Sequence, residues 1–132
     1  MERASLAQIT DAYLAFCRHS DPGDRWSDEI ISDWGYSEDW EKVWALLLEI
    51  SRRETPIDVH CLAVIAAGPC EDLICKAGPL YIDRVIAEAK CNPRFGRILT
   101  GVWGRRADPA VWARVVQFCR AFSDPIDGKY AF

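Results

Sequence analysis

Residues 67–104 read AGPCEDLICKAGPLYIDRVIAEAKCNPRFGRILTGVWG, and this stretch decides the fold. It contains three pairs of a turn residue and a proline: Gly68-Pro69, Gly78-Pro79 and Asn92-Pro93. Proline suits the first position of a helix because its missing N–H has no intrahelical acceptor there and its φ is already helical. A Gly or Asn before it ends the preceding helix in the left-handed conformation and lets the chain reverse. The spacing therefore predicts helix, sharp corner, helix, sharp corner, helix. Leu73, Ile74 and Ala77 face inward from a helix of barely two turns. Ile82, Val85, Ile86 and Ala89 repeat at i, i+3, i+4, i+7, and so do Phe95, Ile98, Leu99 and Val102. Gly96 and Gly101 cost about 1 kcal/mol each relative to alanine inside a helix, which predicts a closely packed neighbour.

Outward from this stretch the pattern stays helical. Leu6, Ile9, Tyr13, Phe16 and Cys17 form an apolar stripe, ended by the breaker run His19–Gly23. A short helix is expected from about Ser27 to Trp34, with Ser27 as its N-cap, Asp28 and Glu29 near its positive end, and Gly35 closing it. Ser37 opens a stronger helix to about Arg53, with Trp40, Val43, Trp44, Leu47, Leu48 and Ile50 inside. Thr55-Pro56-Ile57-Asp58 is the next start signal, with Thr55 as cap. Asp108-Pro109 opens a final helix that buries Val111, Val115, Phe118, Cys119 and Phe122. Residues 123–132 form an irregular tail carrying Tyr130 and Phe132. No strand-like alternation occurs. The expectation is a single all-α domain over residues 1–132, a compact bundle of about eight short helices, loosely HEAT-like in its hairpins.

The chain of 132 residues is half apolar and 27% charged, an ordinary globular composition. Residues 1–15 lack the apolar run of a signal peptide, and no stretch approaches a membrane span, so a cytoplasmic protein without membrane contact is expected. The six cysteines are then reduced thiols acting as small hydrophobes. The net charge of −4 is unevenly spread. Residues 21–41 hold eight acids against Arg25 alone and sum to −7, leaving +3 for the remainder. Lys90, Arg94, Arg97, Arg105 and Arg106 fall in a run with no acid.

Each chemical constellation competes with a plainer role. His60, Cys61, Cys70 and Cys75 lack zinc-site spacing, so neither a metal nor any other cofactor is expected. Cys70 opens a helix whose dipole favours a thiolate, but Glu71 and Asp72 beside it oppose one. Glu71 and Asp72 suit a helix N-terminus, with Asp72 also pairing to Lys76. Asp83 and Arg84 lie near an inward stripe, where a structural ion pair with Arg94 or Arg97 outweighs an active site. The Arg94–Arg106 run is a solvated basic face in a chain with a pI of about 5.1, which argues against nucleic acid. Trp26, Asp28, Glu29, Asp33, Trp34, Tyr36, Glu38 and Asp39 interleave aromatics with acids. They either cover the bundle or form a protein-binding surface that offers large anchors and steers a cationic partner.

The block AGPxEDLxxxxGPxxIDRxxxxAxxxPRFxxxLxGVW, running from Ala67 to Trp103, resembles the core of a bacterial domain family of unknown function. The resemblance implies a small bacterial helical protein and brings no active site with it. Cys70, at a position where Leu is expected, and Gly96 are mild departures that bear on packing. The resulting expectation is a non-catalytic inhibitor of the immunity or antitoxin type, neutralising a basic toxin or effector enzyme through its acidic and aromatic surface. Two alternatives stand beside it. One is a small enzyme with Glu71, Asp72, Asp83 and Arg84 in a cleft, and the other is nucleic-acid contact through the Arg94–Arg106 face.

Overall fold

A computed structural model describes residues 4–104 and 106–126, and these are all helix, turn and loop. The helices are α1 (Leu6–His19), α2 (Arg25–Tyr36), α3 (Trp40–Arg52), α4 (Val59–Ile65), α5 (Glu71–Cys91), α6 (Pro93–Leu99) and α7 (Pro109–Ala121). A 3₁₀ turn, Pro22–Asp24, leads into α2, and a π turn, Ala66–Cys70, joins α4 to α5 without a break. The described residues therefore form six continuous helical segments, not about eight separate helices.

Two of the three expected corners are kinks. Pro69 and Pro79 each withdraw an N–H and press a ring on the preceding turn, but the chain bends and continues. Gly68 sits at φ −100°, ψ −105°, inside the π turn, and Ala77 at φ −131°, ψ 16° absorbs the second kink. Only Asn92 makes a true corner. It is extended (φ −130°, ψ 98°), and its side chain accepts the Phe95 N–H at 3.2 Å to cap α6. The left-handed conformation falls elsewhere, on Ser20 (φ 53°) and Glu38 (φ 58°). One kinked segment over residues 59–91 leaves the HEAT-like pairing without support.

One cluster of buried residues runs from Ile9 to Ile126. Its centre is α3, whose Leu46, Leu47 and Ile50 are fully buried and which touches α1, α2, α5, α6 and the π turn. The buried face of α3 is Trp40, Val43, Leu46, Leu47 and Ile50, while Leu48 is half-buried. Half-buried Trp44 packs on Tyr81 and, edge to face, on Phe95 at 5.6 Å between ring centres. Gly96 is where α6 meets α7. A Cβ there would lie 2.6 Å from the Phe122 ring and 3.1 Å from the Ala89 carbonyl oxygen. The chain beyond α7 returns to the core, where Ile126 is buried and its N–H donates to the Thr100 hydroxyl at 3.0 Å. Tyr130 and Phe132 lie outside the described residues.

Two expected caps move. Ser27 is buried inside α2 and its hydroxyl donates to the Asp24 carbonyl at 2.7 Å. Thr55 is replaced by Asp58, whose carboxylate accepts the Cys61 N–H at 2.9 Å. Asp108 caps α7 as expected, accepting from Ala110 at 2.9 Å and Val111 at 3.2 Å. Asp108→Ala is expected to lower stability by about 1 kcal/mol, and thermal melting should fall by roughly 3–5 °C.

Charged groups also tie the elements together. Arg52 on α3 grips the Glu88 carboxylate of α5 through two bonds of 2.7 and 3.1 Å, and Asn92 adds a third of 2.9 Å. Arg52 first, and the Asn92 amide after it, hold this carboxyl below its ordinary range against the opposing effect of burial. A carboxyl depressed in the folded state contributes stability above its unfolded pKa, near 4.3, and that contribution fades as pH falls through the folded value. Glu88→Gln should therefore lose less stability than the parent between about pH 5 and pH 3, as read by urea unfolding at each pH.

Candidate functional site

The surface of α2 carries a group of acids that no cation neutralises among the described residues. Trp26, Glu29, Asp33 and Tyr36 are spaced by three, four and three residues, which keeps them within about 80° of arc on one helix face. That face is turned to solvent: Tyr36 is 85% exposed and Trp26 38%, with Glu29 and Asp33 also exposed. Glu38 extends it from the turn after α2. The opposite side of α2 buries Ser27 and Ile31 and rests Trp34 on the core. The exposed stripe is thus held rigidly by a packed underside.

Among the described residues, the carboxylates of Asp28, Glu29, Asp33 and Glu38 make no ion pair and accept no hydrogen bond. Asp39 differs, since Lys42 three residues on neutralises it at 3.0 Å. Trp34 is half-buried, so of the three aromatics proposed as anchors Trp26 and Tyr36 are the available ones. Asp28 is turned from the outer stripe toward a small cavity between α2 and the π turn, whose lining includes Tyr13, Ser32, Gly35 and Asp72.

The remaining candidates do not converge. Asp83 is an exposed residue paired with Arg114 of α7, and Arg84 pairs with Glu41 of α3 at 2.8 Å. Neither meets Arg94 or Arg97, because the outward side of α5 faces α3 and α7 instead. Glu41 also accepts the Tyr81 hydroxyl, and this bond, with Arg84 second, holds its carboxyl below the ordinary range. Glu71 accepts the Trp103 N–H at 3.2 Å, and Asp72 lines the cavity without an ion pair to Lys76. Glu71 and Asp83 are twelve residues apart on one helix, about 18 Å along its axis. The four residues of the enzyme alternative share no cleft.

The basic run is also dispersed. Arg94 turns inward and donates to the carbonyls of Thr55 at 2.8 Å, Ile50 at 3.4 Å and Arg53, covering the open C-terminus of α3. Arg97 is half-buried and stands 3.6 Å from the Asp124 carboxylate, a charge pair too long for a hydrogen bond. Arg106 is exposed, and Arg105 lies outside the described residues. No trio of metal-ligating side chains gathers among the described residues, and all six cysteines are free thiols. Burial pushes the Cys17, Cys70 and Cys119 thiols up to about 12, so the helix start at Cys70 yields no thiolate near neutral pH.

A model of a family of unknown function, DUF6869, matches residues 18–122. The chain belongs to DUF6869. No curated protein and no solved structure matches it. The DUF6869 span takes in α2 through α7 and so includes the whole acidic stripe, both proline kinks and the Asn92-Pro93 corner. Most of α1, with Tyr13, precedes it. None of the described helices is long and apolar enough to cross a membrane.

Proposed function

We propose that this DUF6869 protein is a non-catalytic binding protein of the immunity or antitoxin type, acting in the bacterial cytoplasm. Its acidic and aromatic α2 face covers the cationic cleft of a basic toxin or effector enzyme. The observation that carries this reading is the group of carboxylates on the packed helix α2 that stay unneutralised among the described residues, beside the exposed Trp26 and Tyr36. Large aromatics flanked by polar groups are the anchors of protein interfaces, and a field of one sign steers a partner of the other. The dispersal of Glu71, Asp72, Asp83 and Arg84 weighs against the enzyme reading. The use of Arg94 on backbone carbonyls weighs against a nucleic-acid face.

The test is to capture partners with the tagged chain in its source organism, then reconstitute the complex from purified components. The reading expects a basic protein whose activity is titrated to zero at a fixed stoichiometry. Its affinity should fall by at least about tenfold between 50 and 200 mM salt, because surface electrostatics are screened over roughly 10 Å at 0.1 M. A partner that is acidic, or whose binding ignores salt, contradicts it.

A further inference from the structure

The cavity between α2 and the π turn has features that an acidic patch alone does not. Its volume is about 70 Å³, and it receives Asp28 from α2, Asp72 from α5 and Tyr13 from α1, with Trp40 and Gly68 in its wall. Both carboxylates are half-buried and make no ion pair among the described residues. Tyr13 is only 3% exposed, and its hydroxyl hydrogen-bonds the weakly accepting Cys17 sulfur, with no oxygen or nitrogen partner among the described residues. The hydroxyl reaches the Gly68 corner, where it stands 3.5 Å from the place a Cβ would occupy. On the other side, Asp72 approaches Gly35, with its carboxylate oxygen 3.9 Å from the corresponding position there. Glycine at both positions keeps the opening free of side chains. A thiol takes only the phenol proton, and the accepting lone pairs of the Tyr13 oxygen are left to the cavity that the residue lines.

We propose that this cavity is a slot for one primary ammonium group, the side-chain end of a lysine on a basic protein partner. The volume exceeds several-fold the roughly 10–15 Å³ that admits one water-sized group, and an –NH₃⁺ head is of that size. An ammonium carries three donors on a compact point charge, and three acceptors converge from three helices: Asp28, Asp72 and the Tyr13 oxygen. Burial, with the Asp28 and Asp72 charges adding to it, keeps the Tyr13 phenol protonated, so its oxygen accepts while its proton stays in place. The slot rests on the reading of the protein as a binder of cationic proteins and names the residue type that the partner inserts.

The test uses n-butylammonium chloride as probe, titrated into the full ¹⁵N-labelled chain, with sodium chloride and tetramethylammonium chloride as matched salts. The slot predicts saturable shifts at the Gly35 and Gly68 amides with n-butylammonium only, since tetramethylammonium offers no donor. Asp72→Asn is expected to weaken the binding by about tenfold or more. Tyr13→Phe keeps the ring packing and removes only the oxygen, and is expected to weaken binding by roughly threefold or more. Shifts that do not saturate, that sodium reproduces, or that neither variant diminishes would overturn the slot. If these fail while capture of a basic partner still depends on Glu29 and Asp33, the slot is wrong and the α2 docking face stands. If butylammonium binds as described while no basic partner is retained, the slot's chemistry holds and its assignment to a protein lysine is overturned.

Discussion

Phe95→Ala is expected to lower the unfolding free energy by about 3–5 kcal/mol, the range for truncating a fully buried aromatic. Phe95 has no exposed surface, and it meets the edge of Trp44 at 5.6 Å between ring centres. It projects from α6, which is only Pro93–Leu99 and is too short to persist without tertiary packing. Its removal opens a void where α6 meets α3, and the surrounding helices are tied by Asn92 and Arg94 and cannot close it fully. A domain of this size holds about 5–15 kcal/mol in all, so the variant loses a large part of its margin. Urea unfolding should show a lower midpoint with an unchanged slope. A loss under about 1 kcal/mol would mean that α6 is not a keystone of the core.

The second large effect is on binding. Glu29→Lys combined with Asp33→Lys is expected to weaken the reconstituted partner complex by about 100-fold or more at low salt, mainly through a slower association rate. Both carboxylates are exposed and unpaired among the described residues, so the substitutions break no ion pair or side-chain hydrogen bond there. Folding stability should then change by no more than about 0.5 kcal/mol per site. The two results separate docking from structure. An affinity within about threefold of the parent would remove α2 from the interface.

Much of this architecture was legible because helix stripes and proline signals are local. The inward sets Ile82, Val85, Ile86, Ala89 and Phe95, Ile98, Leu99 are all buried as their spacing requires. The corners were misjudged because Gly-Pro permits either a reversal or a bend. The choice belongs to packing: Val111 of α7 lies so close to Gly78 that a Cβ there would come within 2.8 Å of it, and α7 holds the continuing helix in place. Thr55 is not the cap because the chain stays non-helical through Pro56 and Ile57 and α4 starts only at Val59, where Asp58 has the extended backbone (φ −70°, ψ 161°) of an N-cap. Within the apolar run Ala45–Leu48 periodicity is nearly silent, and the neighbours of α3 selected Leu46 over Leu48.

The candidate site was only half legible. The acidic and aromatic stripe can be read from spacing along one helix, and α2 presents it. Ion-pair partners cannot be read that way: Asp83 meets Arg114, thirty-one residues on, and Arg84 meets Glu41, forty-three back. Tyr13, Asp28 and Asp72 likewise come from three helices, and no local period links them.

The most direct measurement is hydrogen exchange on the reconstituted complex, compared residue by residue with the free chain. Protection gained over residues 25–39, with α7 unchanged, is the result a docking face on α2 predicts. Protection centred on α7 or on the Arg94–Arg106 run, with α2 exchanging as in the free protein, would contradict it.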